Sequence, residues 1–177
     1  MVVLRCLFPD YWGQRNPSTF TIKPDGSDLC YLPFTHPWNA KGGHANWHAD
    51  SKHLIRNVIE PNGAERYCQV HANGTKRTLL SEHLTGGGHP SIEPTGRYVI
   101  TDARSGDQVT LKLSDVKTHR EHDLCTLPTF DKASLKDSVF RLDGHPVWNR
   151  DYNKVCMQAA PEGVRQLFIA DLSDYVN

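Results

Sequence analysis

Gly43-His44-Ala45-Asn46-Trp47-His48-Ala49-Asp50-Ser51-Lys52-His53-Leu54-Ile55 returns as Gly88-His89-Pro90-Ser91-Ile92-Glu93-Pro94-Thr95-Gly96-Arg97-Tyr98-Val99-Ile100. It returns again as Gly144-His145-Pro146-Val147-Trp148-Asn149-Arg150-Asp151-Tyr152-Asn153-Lys154-Val155-Cys156. Each copy opens on Gly-His, places an apolar residue three positions after the histidine, passes through a polar turn and enters a β-rich run. The histidines are 45 and 56 residues apart. Self-similarity at a spacing of about 45 residues is the mark of a repeat architecture, in which each repeat is one supersecondary unit.

A second unit alternates with the first. It reads Phe20–Ser27, Tyr67–Thr75, Val109–Asp115 and Leu167–Asp171, each an alternating strand that ends in a turn residue. Asp25-Gly26 and Asn73-Gly74 are strong hairpin signals, because a tight hairpin turn needs positive φ. The two units together supply four strands per repeat, and helical periodicity is absent. Four short strands at this spacing define a propeller blade. A β-sandwich has no reason to restart at the same motif. The expected fold is therefore all-β, a partial β-propeller of four-stranded antiparallel blades amounting to about half a ring. The whole chain, 1–177, forms one partial propeller. Residues 1–42 supply the outer strands of a first blade, 43–86 and 87–142 are complete blades, and 143–177 form an incomplete last blade. A half-ring leaves unpaired edges, so self-association or a missing half of the propeller is expected. The strand Val2-Val3-Leu4 is a candidate to pair with the incomplete last blade.

The blade pattern resembles the Trp-Ser-Pro-Asp-Gly blades of TolB-type propellers. The repeated Gly-His start more narrowly resembles the oligogalacturonate lyase propellers that cleave pectin fragments. Arg141–Asp151 followed by Gly163–Leu172 looks like a C-terminal blade of that group, and the likeness runs from about residue 18 to 172. The resemblance implies a divalent ion, typically manganese, held at the ring centre by three histidines and a glutamine, with a further histidine and an arginine in catalysis. The implied substrate is a uronate oligosaccharide. The family's glutamine ligand has no unambiguous counterpart here. TolB-type propellers also include non-catalytic proteins, so a protein- or glycan-binding propeller is the alternative reading.

Three histidines occupy one repeat position, His44, His89 and His145. Converging imidazoles bind Mn²⁺ or Zn²⁺ and leave open positions for substrate oxygens; equally, each could cap its strand and bond a neighbouring blade. Lyase chemistry needs a cation or arginine to neutralise the sugar carboxylate and a base to take the α proton. His145 is the candidate base and Arg141 the candidate carboxylate clamp. Asp143 is a candidate to orient an imidazole. Arg56 and Gln158 are weaker candidates. His48 and His53, around the first turn, are expected to face solvent, as are His119 and His122. Trp47 and Trp148 are expected to pack between blades, and Trp38, in His36-Pro37-Trp38-Asn39, is a candidate to stack on a sugar.

Bulk composition narrows the alternatives. Twenty basic and twenty acidic residues give a formal net charge of zero, without the electrostatic footprint of a nucleic-acid binder. No run approaches the roughly 18 apolar residues of a membrane span. The N-terminus lacks the basic start of a signal peptide, and the compartment, cytoplasmic or periplasmic, is open. Five cysteines without a CxxC pair read as small buried hydrophobes.

Overall fold

The computed structural model describes residues 1–9, 15–32, 42–130 and 140–176. Among them there is no α-helix, and the strands form four antiparallel sheets, each connected in simple chain order. The first holds β1 (Val2–Pro9), β2 (Arg15–Ile22) and β3 (Cys30–Leu32). The second holds β4 (Gly42–Trp47), β5 (His53–Ile59), β6 (Glu65–His71) and β7 (Thr78–Leu79). The third holds β8 (Ser91–Ile92), β9 (Tyr98–Ser105), β10 (Gln108–Asp115) and β11 (Arg120–Pro128). The fourth holds β12 (Val147–Trp148), β13 (Lys154–Ala159) and β14 (Gln166–Asp171). The chain divides into two compact units, Met1–Gly87 and Gly88–Asn177, each built from two consecutive sheets.

The Gly-His repeat folds in the same way each time. After the short first strand, the turn closes through bonds from His48 N to His53 O, Glu93 N to Tyr98 O, and Asn149 N to Lys154 O. Three residues into each turn the backbone enters the left-handed region, at Ser51, Gly96 and Tyr152. A polar side chain at the turn's first position binds the amides left inside it. Glu93 accepts from the amides of Thr95, Arg97 and Tyr98, and Asn149 from those of Asn153 and Lys154. His48 does the same through Nδ1, which accepts from Asp50 N at 3.0 Å. His48 is therefore buried, at 6% exposure, not solvent-facing as its sequence context suggests. The Asp25-Gly26 and Asn73-Gly74 turns are tight hairpins with glycine at positive φ.

In the first unit, Leu32, Leu54, Val58, Cys68, Val70 and Ala72 form the core, with Trp47 and Val3 packed against it. Two buried polar links join its sheets: Thr21 Oγ1 donates to Ala72 O, and Arg56 donates to Thr19 Oγ1. The candidate Arg56 is thus interior, at 2% exposure. In the second unit, alternate residues of β10 (Val109, Leu111 and Leu113) meet Trp148, Val155, Met157 and Leu172, the period of two that a one-face-buried strand requires. Trp148 joins the two sheets by donating from Nε1 to Ser91 O. Burying such side chains contributes about 2 kcal/mol each.

Two expectations change. β1 pairs along its whole length with β2, from Val2↔Ile22 to Pro9↔Arg15, and not with the last sheet. The reason is local: β1 and β2 are sequence neighbours of equal length, and closing a short connection costs least entropy. Of the four cysteines whose side chains are described, only Cys68 is buried; Cys30, Cys125 and Cys156 are half-buried, and all four are free thiols. His36–Asn39, with Trp38, lies outside the described residues.

Candidate functional site

The site grows from one carboxylate in the second unit. Asp102 sits on β9, at 4% exposure. Its Oδ1 accepts from His89 N at 2.8 Å and its Oδ2 from His145 N at 3.2 Å. The amides after both glycines of the unit's two Gly-His motifs therefore point at the same group. The His89 ring completes the arrangement, with Nδ1 2.8 and 3.0 Å from the two carboxylate oxygens. Burial pushes the Asp102 pKa up, but the ring and amide hydrogen bonds outweigh it and hold the carboxyl at about 2. Asp102 is thus ionised near neutral pH and acts only as an acceptor, so His89 Nδ1 is the donor to it.

The glycines are what let the backbone come this close. A Cβ on Gly88 would lie 1.8 Å from Asp102 O and 2.7 Å from its Oδ1, at a φ of +56°. A Cβ on Gly144 would meet Asp102 Cβ at 2.9 Å and Val109 at 3.0 Å. Gly-His is thus a steric motif first: the glycine makes room for the carboxylate, and the next amide binds it.

Around this clamp the side chains converge. The His89 and His145 rings lie 3.8 Å apart between centroids, tilted by 34°. His145 adopts a φ of +44°. Partial burial and the neighbouring His89 lower its pKa, which favours the neutral imidazole. His89, Asp143 and His145 each offer a ligand atom, all within 4.8 Å of one another. Asp143 also pairs with Arg141 Nε at 2.6 Å and with Arg104 at 3.5 Å. Arg104 in turn holds the approaching chain, donating to Leu142 O and to Phe130 O.

Of the sequence candidates, the structure brings His89, His145, Asp143 and Arg141 into one neighbourhood. His44 belongs to the first unit, where it is exposed on β4; the third member of the ligand cluster is Asp143. The residue that orients an imidazole is Asp102, and Asp143 instead engages guanidinium groups. Gln158 occupies the repeat position of Asp102 on β13, and its backbone amide donates to Gly144 O. His119 and His122 are exposed.

No family model matches the chain, and no curated protein matches it by sequence. Solved structures do. TolB from Acinetobacter baumannii aligns with a TM-score of 0.70 at 14% identity, covering 97% of this chain and 39% of that one. An oligogalacturonate lyase in complex with manganese gives 0.67 at 16% identity, over 87% of this chain and 41% of that one. The β-propeller domain of the Trilobed protease from Pyrococcus furiosus, described as having an open velcro topology, gives 0.52 at 7% identity, over 96% and 64%. With its antiparallel sheets of three and four strands, the chain has the fold of a partial β-propeller, of the kind seen in TolB and the lyase. It spans about two fifths of the length of those two proteins.

Proposed function

We propose that the second unit carries a lyase site of the oligogalacturonate type, in which a divalent cation assists β-elimination from uronate oligosaccharides. The observation that carries this reading is the convergence of His89, Asp143 and His145 above the buried Asp102. The likeness to a manganese-bound lyase supports it.

The donor set fits such an ion. Imidazole nitrogen and carboxylate oxygen suit Mn²⁺ or Zn²⁺, and Asp102 behind His89 is the outer carboxylate that fixes a ligating imidazole. An imidazole that binds a cation through one nitrogen carries hydrogen on the other. His145 therefore cannot be ligand and base in the same step. His89 and Asp143 are assigned to hold the ion, and His145, exposed and kept neutral, is assigned as the base. The ion's contribution would be to offset the charge of the sugar carboxylate, which makes the adjacent proton more acidic.

The chain's own residues do the rest. Arg141 exchanges Asp143 for the substrate carboxylate and orients it. His145 takes the α proton. The electron pair left on carbon forms a double bond as the β carbon–oxygen bond breaks, and the departing sugar oxygen receives a proton. The unsaturated product is conjugated and absorbs in the ultraviolet. With uronate oligomers and Mn²⁺ the absorbance is expected to rise. His145→Ala is expected to slow that rise by roughly 100-fold or more while leaving the metal bound, and His89→Ala to lose the metal. A wild-type chain that gives no absorbance rise removes the lyase reading.

The TolB likeness favours a second reading, a non-catalytic propeller with a protein or glycan partner. There the Asp102 clamp is purely architectural. Melting temperatures that do not move on adding Mn²⁺ support that reading over the first.

A further inference from the structure

We infer that the two guanidinium groups on Asp143 have opposite duties toward the cation: Arg104 positions the carboxylate, and Arg141 leaves it when the cation arrives, which couples cation binding to uronate binding. This rests on the lyase reading above and adds to it a positioning residue, Arg104, and a link between the two ligands. The starting point is a contrast between two ion pairs on one carboxylate. Arg104 Nη1 lies 3.5 Å from Asp143 Oδ1, and Arg141 Nε lies 2.6 Å from Oδ2. The Asp143 side chain between them is nearly enclosed, at 10% exposure.

Arg104 is anchored. Its side chain is 14% exposed, and its donors go to backbone carbonyls: Nη1 to Leu142 O at 2.8 Å, Nη2 to Phe130 O, and Nε to Gly106 O at 3.3 Å. Leu142 O accepts a second bond from Thr129 Oγ1 at 2.9 Å, and the Leu142 side chain is buried. Asp102 and Arg104 stand two residues apart on β9, so their side chains share a face. One strand therefore grips the incoming chain twice, Arg104 at the carbonyl of Leu142 and Asp102 at the amide of His145. Asp143 lies between the two grips. Its place relative to the His89 ring, which Asp102 also holds, is set by β9.

Arg141 is different. It is 40% exposed, and an exposed ion pair shifts an equilibrium by no more than about fivefold. A divalent cation that draws on Asp143 sets a second positive charge beside both guanidiniums, and like charges repel. Arg104 is tied to three carbonyls, so Arg141 is the one that swings away. Once released, its planar fork faces the carboxylate of a uronate. Until then Asp143 competes with the substrate for it. Cation and uronate therefore favour each other, and linkage makes the effect equal in both directions.

Charge alone predicts that removing either arginine tightens cation binding; the two duties predict opposite signs. Mn²⁺ binding to the purified chain, followed through the electron paramagnetic resonance of the free ion, separates them. Arg141→Gln is expected to bind Mn²⁺ about threefold more tightly than the wild type. Arg104→Gln and Arg104→Lys are expected to bind it about tenfold more weakly, the scale of losing an outer partner of a metal ligand. Circular dichroism and melting of the metal-free chains check that they fold, and Arg104→Lys, which keeps the charge, carries the test if Arg104→Gln does not. Saturating galacturonate is expected to tighten Mn²⁺ binding in the wild type, and by about threefold less in Arg141→Gln. Tighter binding in the variants of both arginines overturns the inference, as does an Arg141→Gln chain that binds no more tightly than the wild type. A wild type that binds no Mn²⁺ at about 1 mM removes the cation site and the lyase reading with it; Mn²⁺ binding that no arginine variant changes removes this inference alone.

Discussion

The two units are built on one repeat, but the second gathers two Gly-His histidines around one buried carboxylate, whereas the first sets the turn histidines His48 and His53 against Asp50. By register, Asn57 on β5, Asp102 on β9 and Gln158 on β13 are equivalent positions. In the first unit that position is a neutral amide, and His44 is exposed. In the second it is an aspartate that receives two backbone amides and a ring nitrogen. The comparison separates two jobs that the motif performs. Strand, turn and glycine build a blade anywhere in the chain; a single ionised group converts two such blades into a preorganised cluster.

The largest test of that separation is Gly88→Ala. The added methyl would overlap Asp102 O in a conformation that L-residues avoid, and the obstacle is backbone, which cannot swing aside. A loss of about 3 kcal/mol or more in urea denaturation is expected. Gly26→Ala in the first unit meets nothing within 4 Å and strains φ alone, so about 1 kcal/mol is expected there. Equal losses at the two sites would mean that Gly-His serves turn geometry and not the carboxylate.

Next in size is Asp102→Asn, which keeps the shape and removes the charge. The folded carboxyl titrates at about 2, below the ordinary 3.8, so folding is favoured by its ionised form. That contribution, roughly 2 kcal/mol, is complete above about pH 5 and is lost as pH falls through 4 toward 2. The stability gap between wild type and Asp102→Asn is therefore expected to be widest near pH 7 and to shrink by pH 3. His145 gives the same sign at higher pH. Its lowered pKa means that the unfolded chain binds the proton first, so stability falls with acidification below about pH 6.5. His145→Gln is expected to flatten that limb of a pH–melting curve.

The blades were legible in the sequence because their causes are local. Alternation in Val109-Thr110-Leu111-Lys112-Leu113 and the Asp25-Gly26 and Asn73-Gly74 turns act over a few residues, and the structure keeps them. Asp102 was not legible in the same way, because its partners lie 13 and 43 residues away. One signal did exist: an aspartate following the buried run Tyr98-Val99-Ile100-Thr101, at a position polar in all three repeats. The burial of His48 had a weaker signal, since imidazole is an unusual turn cap and only Glu93 and Asn149 at the same position hint at it. The pairing of β1 with β2 was hidden because an apolar strand does not specify its neighbour.

The smallest test bears on the turns that both units share. Ser51 in the first unit and Gly96 in the second hold the same left-handed position. Ser51 is exposed and its hydroxyl does not take part in closing the turn, which runs through the amide of Ser51 to His48 O at 3.0 Å. Glycine relieves the Cβ strain at positive φ but loses more freedom on folding, so the two effects nearly offset. Ser51→Gly is expected to stabilise by no more than about 0.5 kcal/mol, and Gly96→Ala to destabilise by about 1 kcal/mol. Because these turns make no hydrogen bond to Asp102, whose partners are His89 and His145, neither change should alter the pH dependence assigned to the clamp. A shift of the acid limb in Gly96→Ala would tie the turn to the cluster, and the division between a blade-building and a site-building part of the motif would fail.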